Sequence, residues 1–164
     1  MKVLGIDPGT GTTGWAVVEI TASRMSVLGY GAVITPKNTP LSARLEEIFI
    51  EINAIIDEFS PDEAAVELLY FSKNVKTAMD VSHARGVILL ALEKNKIPIT
   101  EFQPNQIKLA ITGSGKATKK QIQNAVKMIT GLSAIPQPDD AADAIAIAIS
   151  KIITTGNLHF MKKK

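Results

Sequence analysis

The sequence predicts a single α/β domain in which a mixed five-stranded sheet is covered by helices. Two observations support this prediction. Three apolar, strand-like segments follow one another with short connections, and helical and strand-like patterns then alternate. The length of 164 residues and the hydrophobic content of 46% fit one domain with a substantial core. We place the domain at residues 1–155 and expect residues 156–164, which end in three lysines, to form a disordered basic tail.

The first three strands are predicted from apolar runs separated by turn residues. Residues 2–7 form a run that ends in Asp7 and is followed by the turn sequence Pro8–Gly9–Thr10–Gly11. Residues 14–20 and 25–34 are the second and third runs. Because their connections are short, we expect an antiparallel meander.

The rest of the chain alternates between helical and strand-like patterns. Thr39 and Pro40 predict the start of a helix, with threonine as the N-cap and proline at the first helical position. Apolar residues then recur with helical spacing until Ser60–Pro61 ends the helix. The remaining predicted elements are strands over 62–69 and 97–102 and helices over 74–95, 104–111, 119–129 and 139–154.

Four carboxylates stand at the edges of apolar segments, where charges are uncommon. Asp7 and Glu67 come at or near the ends of predicted strands, and Asp140 and Asp143 share one face of the first turn of the last helix. Each acid alone has a structural explanation, such as a turn, a helix cap or a buried ion pair. Converging carboxylates repel one another, so the set predicts a site for Mg²⁺ or Mn²⁺, with two ions serving phosphodiester hydrolysis. We interpret Asp139 as a cap or a solvated acid.

Charge is distributed unevenly, although the net charge is only +2. Residues 1–71 contain ten acidic and four basic residues, a net charge of −6, whereas residues 72–127 contain ten basic and three acidic residues, a net charge of +7. A basic segment of this kind fits a protein that follows a phosphate backbone. The chain has no cysteine, which excludes disulfides and thiolate metal sites. With no signal-peptide pattern and no long apolar stretch, we expect a cytoplasmic protein.

Several motifs together resemble the RuvC family of Holliday junction resolvases. They are Gly5–Ile6–Asp7–Pro8–Gly9 with Thr13–Gly14, Val66–Glu67, Phe71–Ser72–Lys73–Asn74, His83–Ala84–Arg85–Gly86, Gln106–Ile107–Lys108 and the segment from Pro138 to Ala144. The resemblance runs from residue 2 to about residue 152. It implies an RNase H-like fold and a homodimer that makes paired, symmetric nicks in a four-way DNA junction during recombination and repair. It also implies Mg²⁺ or Mn²⁺ as the cofactor and a RuvA–RuvB branch-migration complex as a partner.

The resemblance also implies roles for individual residues. The four acids bind metal and are catalytic, Tyr70 stacks on a base near the junction, and Lys108 and Lys119 lie near the scissile phosphate, with Lys120 as an alternative to Lys119. Without the resemblance, a place in the core is the favoured interpretation of Tyr70, although base stacking on an aromatic contributes about 1–3 kcal/mol. The basic residues expected to contact phosphates are Lys73, Lys76, Arg85, Lys108, Lys116, Lys119, Lys120 and Lys127.

Two further features have competing interpretations. Gly113–Ser114–Gly115–Lys116 superficially matches a phosphate-binding loop, but positions 110 and 117 are alanine, so we reject a nucleotide site and predict a flexible basic loop. Gly86 interrupts a helix, which indicates close helix–sheet packing or, through the resemblance, a dimer interface. We interpret His83, on the same helix, as structural.

Three rival functions keep some of these features. An RNase H-like nuclease acting on RNA would retain the acids without the junction geometry. An actin-like phosphotransferase shares the Asp-x-Gly hairpin but normally needs a second domain and a longer chain. A catalytically silent DNA-binding module would not need four acids.

Overall fold

The computed structural model describes residues 1–22, 24–68 and 75–156, with the side chains of residues 75–77 left out. Five strands form one mixed sheet: β1 (Lys2–Asp7), β2 (Thr12–Thr21), β3 (Arg24–Ile34), β4 (Glu63–Glu67) and β5 (Ile99–Phe102). Their order in the sheet is β3-β2-β1-β4-β5, antiparallel from β1 to β3 and parallel across β1, β4 and β5. The predicted fold class and antiparallel meander are confirmed. The predicted tail lies outside the described residues except for Gly156.

Helices cover both faces of the sheet. They are α1 (Leu41–Phe59), α2 (Val75–Lys94), α3 (Pro104–Thr112), α4 (Lys119–Thr130) and α5 (Asp139–Thr154). Helices α1 and α2 pack on one face, and α3, α4 and α5 pack on the other. In the part of the chain that the structure describes, no helix combines the length and apolarity that a membrane crossing requires.

The start of α1 differs from the prediction by one residue. Pro40 is the N-cap itself, and the helix begins at Leu41. The Thr39 hydroxyl donates to the carbonyl of Pro36 at 2.6 Å and does not cap the helix. The end of the helix is as expected, since Ser60 adopts the left-handed conformation with φ of 47°.

Strand alternation determines which face each residue of β1 occupies. Leu4 and Ile6 pack in the core beneath α1 and α2, whereas Val3 packs in the core beneath α3, α4 and α5. Because side chains alternate along a strand, Asp7 belongs to the same face as Val3. The charged end of β1 therefore faces α5.

Helix α5 lies directly against the backbone of β1. A Cβ atom placed on Gly5 would be 2.1 Å from the carbonyl oxygen of Ala144 and 2.9 Å from the Cβ of Ala148. Only glycine in the strand and alanine on the helix allow this approach. The close packing makes the position of α5 over the sheet insensitive to side-chain rearrangement.

Candidate active site

The sheet topology brings Asp7 and Glu67 to the same edge. Strands β1 and β4 are parallel neighbours, with Ile6 paired to Val66, and each acid follows at the carboxyl end of its strand. Ala65 packs in the core beneath α3, α4 and α5, so Glu67, two residues later, faces the same side as Asp7. The two acids therefore lie side by side under α5.

A second glycine brings the start of α5 to this edge. Gly14 on β2 pairs with Asp7, and a Cβ atom at Gly14 would lie 2.1 Å from the carbonyl oxygen of Asp140. This contact places Asp140 directly above the end of the strand pair. Asp140 and Asp143 are carried on α5, and the structure thus brings together all four acids named from the sequence. Asp143 is not in the first turn as predicted, because α5 begins at Asp139 and its first-turn acids are Asp139 and Asp140.

The first two acids show the electrostatic strain of this convergence. Burial, together with the charges of Glu67 and Asp143, raises the pKa of Asp7 from its ordinary value of 3.8 to about 8. Burial likewise raises the pKa of Glu67. The interaction between the two carboxyl groups raises the pKa of Asp7 and lowers that of Glu67, which favours a proton on Asp7. Positive charge at this point would relieve the repulsion that the proton now relieves.

Lys119 compensates part of the charge on α5. Its Nζ lies 3.2 Å from Oδ2 of Asp143 and 3.3 Å from Oδ2 of Asp139. Burial raises the pKa of Asp143, and Lys119 opposes that rise. Partial burial lowers the pKa of Lys119, but its bonds to the two aspartates outweigh this effect and raise it overall. Asp139 is exposed, as expected, but it pairs with Lys119 and accepts a hydrogen bond from Gln123 at 3.2 Å instead of capping the helix.

A cavity of about 290 Å³ opens beside the acids. Its charged lining consists of Glu67, Asp143, Lys108 and Lys119, and the rest is supplied by α3, α4 and α5. Lys108 lowers the pKa of Glu67, although burial keeps that pKa above its ordinary value. Both candidate lysines are exposed, and it is Lys119 that contacts the acids.

The other predicted DNA contacts are distributed differently. Lys116 is exposed in the loop between α3 and α4, and Lys127 is half-buried on α4. Arg85 pairs with Glu101, which lies beside Val66 on the face covered by α1 and α2. Arg85 is therefore held on the opposite side of the sheet from the acids. Tyr70, Lys73 and the side chain of Lys76 lie outside the described residues.

Gly86 and His83 are both exposed on helix α2. A Cβ atom on Gly86 would have no neighbour within 4 Å among the described residues, so close helix–sheet packing does not explain this glycine. The segment from Gly113 to Lys116 joins α3 to α4 and does not follow a strand, which agrees with the rejection of a nucleotide site.

The donor set fits a hard divalent cation in its chemistry. All four side chains offer carboxylate oxygens, the ligands that Mg²⁺ and Mn²⁺ prefer. The side chains are not arranged as a ligand set, however, because no three His, Asp or Glu residues within 1–22, 24–68 and 75–156 could hold a metal ion as placed. Asp143 is turned towards Lys119 at 3.2 Å. Metal binding would therefore require a change of side-chain positions, with Asp143 exchanging its lysine partner for the ion.

The role of Gly14 was not predicted from the sequence. Gly14 stood out only as part of a motif, although glycine inside a predicted strand is a signal of close backbone approach. In the structure Gly14 pairs with Asp7, and its lack of a side chain lets the backbone of Asp140 come close to this strand pair. The sequence could not show which element approaches the glycine.

Fold and site together define an RNase H-like nuclease, with acids at the carboxyl ends of two parallel strands and on the helix that covers them. The family model for crossover junction endodeoxyribonuclease RuvC matches residues 3–151, and the chain belongs to this family. Members of the family are metal-dependent nucleases.

The similarity to known proteins, in sequence and in structure, extends over nearly the whole length of the chain. The crossover junction endodeoxyribonuclease RuvC of Thermotoga petrophila is 49% identical over 148 residues, 90% of each chain, and that of Chloroflexus aurantiacus is 48% identical over 159 residues, 97% of each chain. The solved structure of T. thermophilus RuvC in complex with Holliday junction substrate superposes with a TM-score of 0.90 at 32% identity, covering 94% of both chains. The yeast mitochondrial Holliday junction resolvase Ydc2 shares the fold, with a TM-score of 0.69 at 13% identity.

Proposed function

We propose that the protein is an endonuclease that resolves four-way DNA junctions by paired, symmetric nicks in recombination and repair. The observation that carries this proposal is the convergence of Asp7, Glu67, Asp140 and Asp143 beside a cavity lined by Lys108 and Lys119. Membership of the RuvC family supports the choice of a junction as substrate. The four acids are the proposed catalytic residues.

The four acids would hold Mg²⁺, or Mn²⁺ in its place, with two ions per site as our proposal. When bound, such ions activate a water molecule and stabilise the leaving oxygen of a phosphodiester. The side chains themselves contribute a proton change and a positive charge. Asp7 would give up its proton to solvent when the ions bind, and Lys119 would be free to pair with phosphate once Asp143 is a metal ligand.

Lys108 and Lys119 are the proposed contacts to the scissile phosphate. They lie on the α3 and α4 side of the cavity, across from the ends of β1 and β4. Lys116 and Lys120, both exposed on the same side, extend this positive surface. Tyr70 as a base-stacking residue and Lys73, Lys76 and Arg85 as phosphate contacts remain predictions.

A homodimer follows from the chemistry of paired cuts, because two symmetric nicks need two active sites related by a twofold axis. Helix α2 carries an exposed stripe at helical spacing, formed by Met79, His83, Gly86 and Leu90. Met79 and Leu90 are 58% and 55% exposed, and the open space at Gly86 lies between them. We propose this stripe as the dimer interface.

Leu90→Glu should then give a monomer in light scattering that still binds DNA but makes unpaired nicks.

The function is tested by incubating the protein with a four-way junction, a linear duplex containing the same arm sequences and an RNA–DNA hybrid, each with and without Mg²⁺. We expect symmetric nicks in the junction alone and only with the metal. Preferred cutting of the hybrid would favour the RNA-directed rival, and binding without cutting would favour the silent module.

Recruitment by a RuvA–RuvB complex and a cytoplasmic location remain predictions.

A further inference from the structure

The edge of the sheet that carries the acids has a second side, away from Lys108 and Lys119. It is formed by the turn that follows Asp7, the end of β3 and the beginning of α1, which packs on the opposite face from α5 and meets the turn at the rim of the sheet. The half-buried Arg44 lies in the first turns of α1 and reaches this turn. Its Nε donates to the hydroxyl oxygen of Thr35 at 2.8 Å.

Thr35 connects Arg44 to the turn. Its backbone N–H donates to the carbonyl of Gly11 at 3.1 Å, and its hydroxyl donates to the carbonyl of Thr10 at 2.5 Å. Thr35 is only 3% exposed, so these bonds are shielded from water. A Cβ atom on Gly11 would lie 3.6 Å from a terminal nitrogen of Arg44. The guanidinium is thus held beside the turn, three to four residues beyond Asp7.

Among the described residues, Arg44 has no carboxylate partner. None of the ion pairs among the described residues includes Arg44, in contrast to Arg85, which pairs with Glu101. The bond to Thr35 uses one of the five N–H donors of the guanidinium. The terminal nitrogens carry the other donors, in the planar arrangement that suits a phosphate.

The position of Arg44 is unusual for its part of the chain. Residues 1–71 contain four basic residues against ten acidic ones. Lys2 and Arg24 lie at the opposite end of the sheet, where Lys2 begins β1 and Arg24 pairs with Thr21 in the hairpin. Lys37 is exposed in the loop before α1. Arg44 is therefore the one cation of residues 1–71 that the described contacts fix at the acid-bearing edge.

We propose that Arg44 binds a backbone phosphate of the DNA on the side of the acids away from Lys108 and Lys119. This inference rests on the proposed nuclease function. A strand that crosses the acids would then be held from both sides, by the lysines of α3 and α4 and by the tethered guanidinium. Because a phosphate contact does not read sequence, Arg44 would contribute equally to every junction.

The experiment measures junction affinity across a series of salt concentrations, in Ca²⁺ or without metal so that no cutting occurs, for wild type, Arg44→Met and Arg44→Lys. A lost phosphate contact reduces the slope of log affinity against log salt by about one. We expect this decrease for Arg44→Met, with an affinity loss of about tenfold at low salt that is the same for two junctions of different sequence. Arg44→Lys retains the charge and should keep most of the slope. If Arg44→Met does not fold, the proposal is tested by Arg44→Lys alone.

Arg24→Met is the matched control, since it removes the same charge from an exposed arginine at the far end of the sheet. An equal decrease in slope for Arg24→Met would show that the slope depends on the net charge of the protein and not on the position of Arg44, which would overturn the proposal. An unchanged slope for Arg44→Met, with slower cutting at saturating DNA, would also overturn it and leave Arg44 as a residue that positions the turn after Asp7. The nuclease function is judged separately, by whether wild type cuts the junction when Mg²⁺ is supplied.

Discussion

The two sides of the cavity are built by opposite means. On the acid side, Glu67 and Asp143 line the cavity and Asp7 and Asp140 lie next to them. This side rests on a strand ladder and on a helix that contacts Gly5 and Gly14 without room for a Cβ atom. The lysine side, formed by Lys108 and Lys119, consists of long side chains on two helices, and the Lys119 side chain is 51% exposed. Packing therefore fixes the backbone that carries the acids, whereas the lysines can move towards a ligand. We expect changes on the acid side to have large effects and changes on the lysine side to have small ones.

The largest effect is expected when one acid of the strand pair loses its charge. Asp7→Asn or Glu67→Gln should decrease the single-turnover cutting rate of a four-way junction by about a thousandfold or more, because metal ions contribute several kcal/mol to this chemistry. Junction affinity should be unchanged or slightly higher, since the change removes a negative charge that repels phosphate. The rate is measured with excess enzyme, and affinity by gel shift without cutting.

Asp140→Asn and Asp143→Asn test the other half of the acid side in the same assay, and we expect both to be inactive. Glu63→Gln is a matched control, because Glu63 begins the strand that Glu67 ends and pairs with Lys151 at 2.6 Å. Near-normal cutting by any two of the four acid variants would contradict the assignment of the site. Loss of cutting in Glu63→Gln would show that the assay responds to general damage.

The second effect tests whether backbone packing positions Asp140. Gly14→Ala places a Cβ atom 2.1 Å from the Asp140 carbonyl oxygen, so α5 must shift away from β2. A displacement of about 1 Å near reacting groups can reduce a rate about a hundredfold, and overpacking costs about 1–3 kcal/mol of stability. We expect slower cutting at saturating DNA with unchanged DNA affinity, and a higher Mg²⁺ concentration for half-maximal rate.

Gly115→Ala provides the comparison on the lysine side. The added Cβ atom would be 3.6 Å from its nearest neighbour, the carbonyl oxygen of Asn105, which is an ordinary contact. Cutting and metal dependence should stay close to wild type. Equal damage from the two alanine substitutions would mean that close packing on the acid side is not what distinguishes the two sides.

The third effect is a dependence of stability on pH in the metal-free protein. The pKa of Asp7 is about 8 in the folded chain against an ordinary value of 3.8, so the folded state binds more protons than the unfolded state between these values. The free energy of unfolding should therefore fall as pH rises from about 4 to 8, by an amount of the order of a few kcal/mol. Asp7→Asn should lack this contribution, and Mg²⁺ should restore stability to wild type at pH 8.

The measurement is chemical denaturation of wild type and Asp7→Asn at several pH values in EDTA. The quantity of interest is the difference between the two proteins, which removes the contribution of all other titrating groups. A difference that does not change between pH 4 and pH 8 would show that Asp7 is an ordinary exposed carboxylate.

The same contrast explains how far the sequence could predict this site. Asp7 and Glu67 were predictable because the carboxyl ends of adjacent parallel strands meet, and strand patterns are visible in apolar runs. The height of Asp140 above Asp7 was not, because it depends on a contact between Gly14 and a helix that begins 125 residues later. The pairing of Arg85 with Glu101 was also hidden, since a basic residue in a basic segment gives no sign of which face of the sheet it occupies.

The smallest effect is expected on the lysine side, where Lys119 and Lys120 are adjacent in sequence but differ in their contacts. Lys119→Met removes the bonds to Asp143 and Asp139, which lets the pKa of Asp143 rise further. Because the pair is exposed, the stability change should be below about 1 kcal/mol. The cutting rate should fall about tenfold through the loss of one charged phosphate contact, while Lys120→Met should cut like wild type. Equal loss in both variants would show that the lysines act as a diffuse charge and that the bond to Asp143 does not single out Lys119.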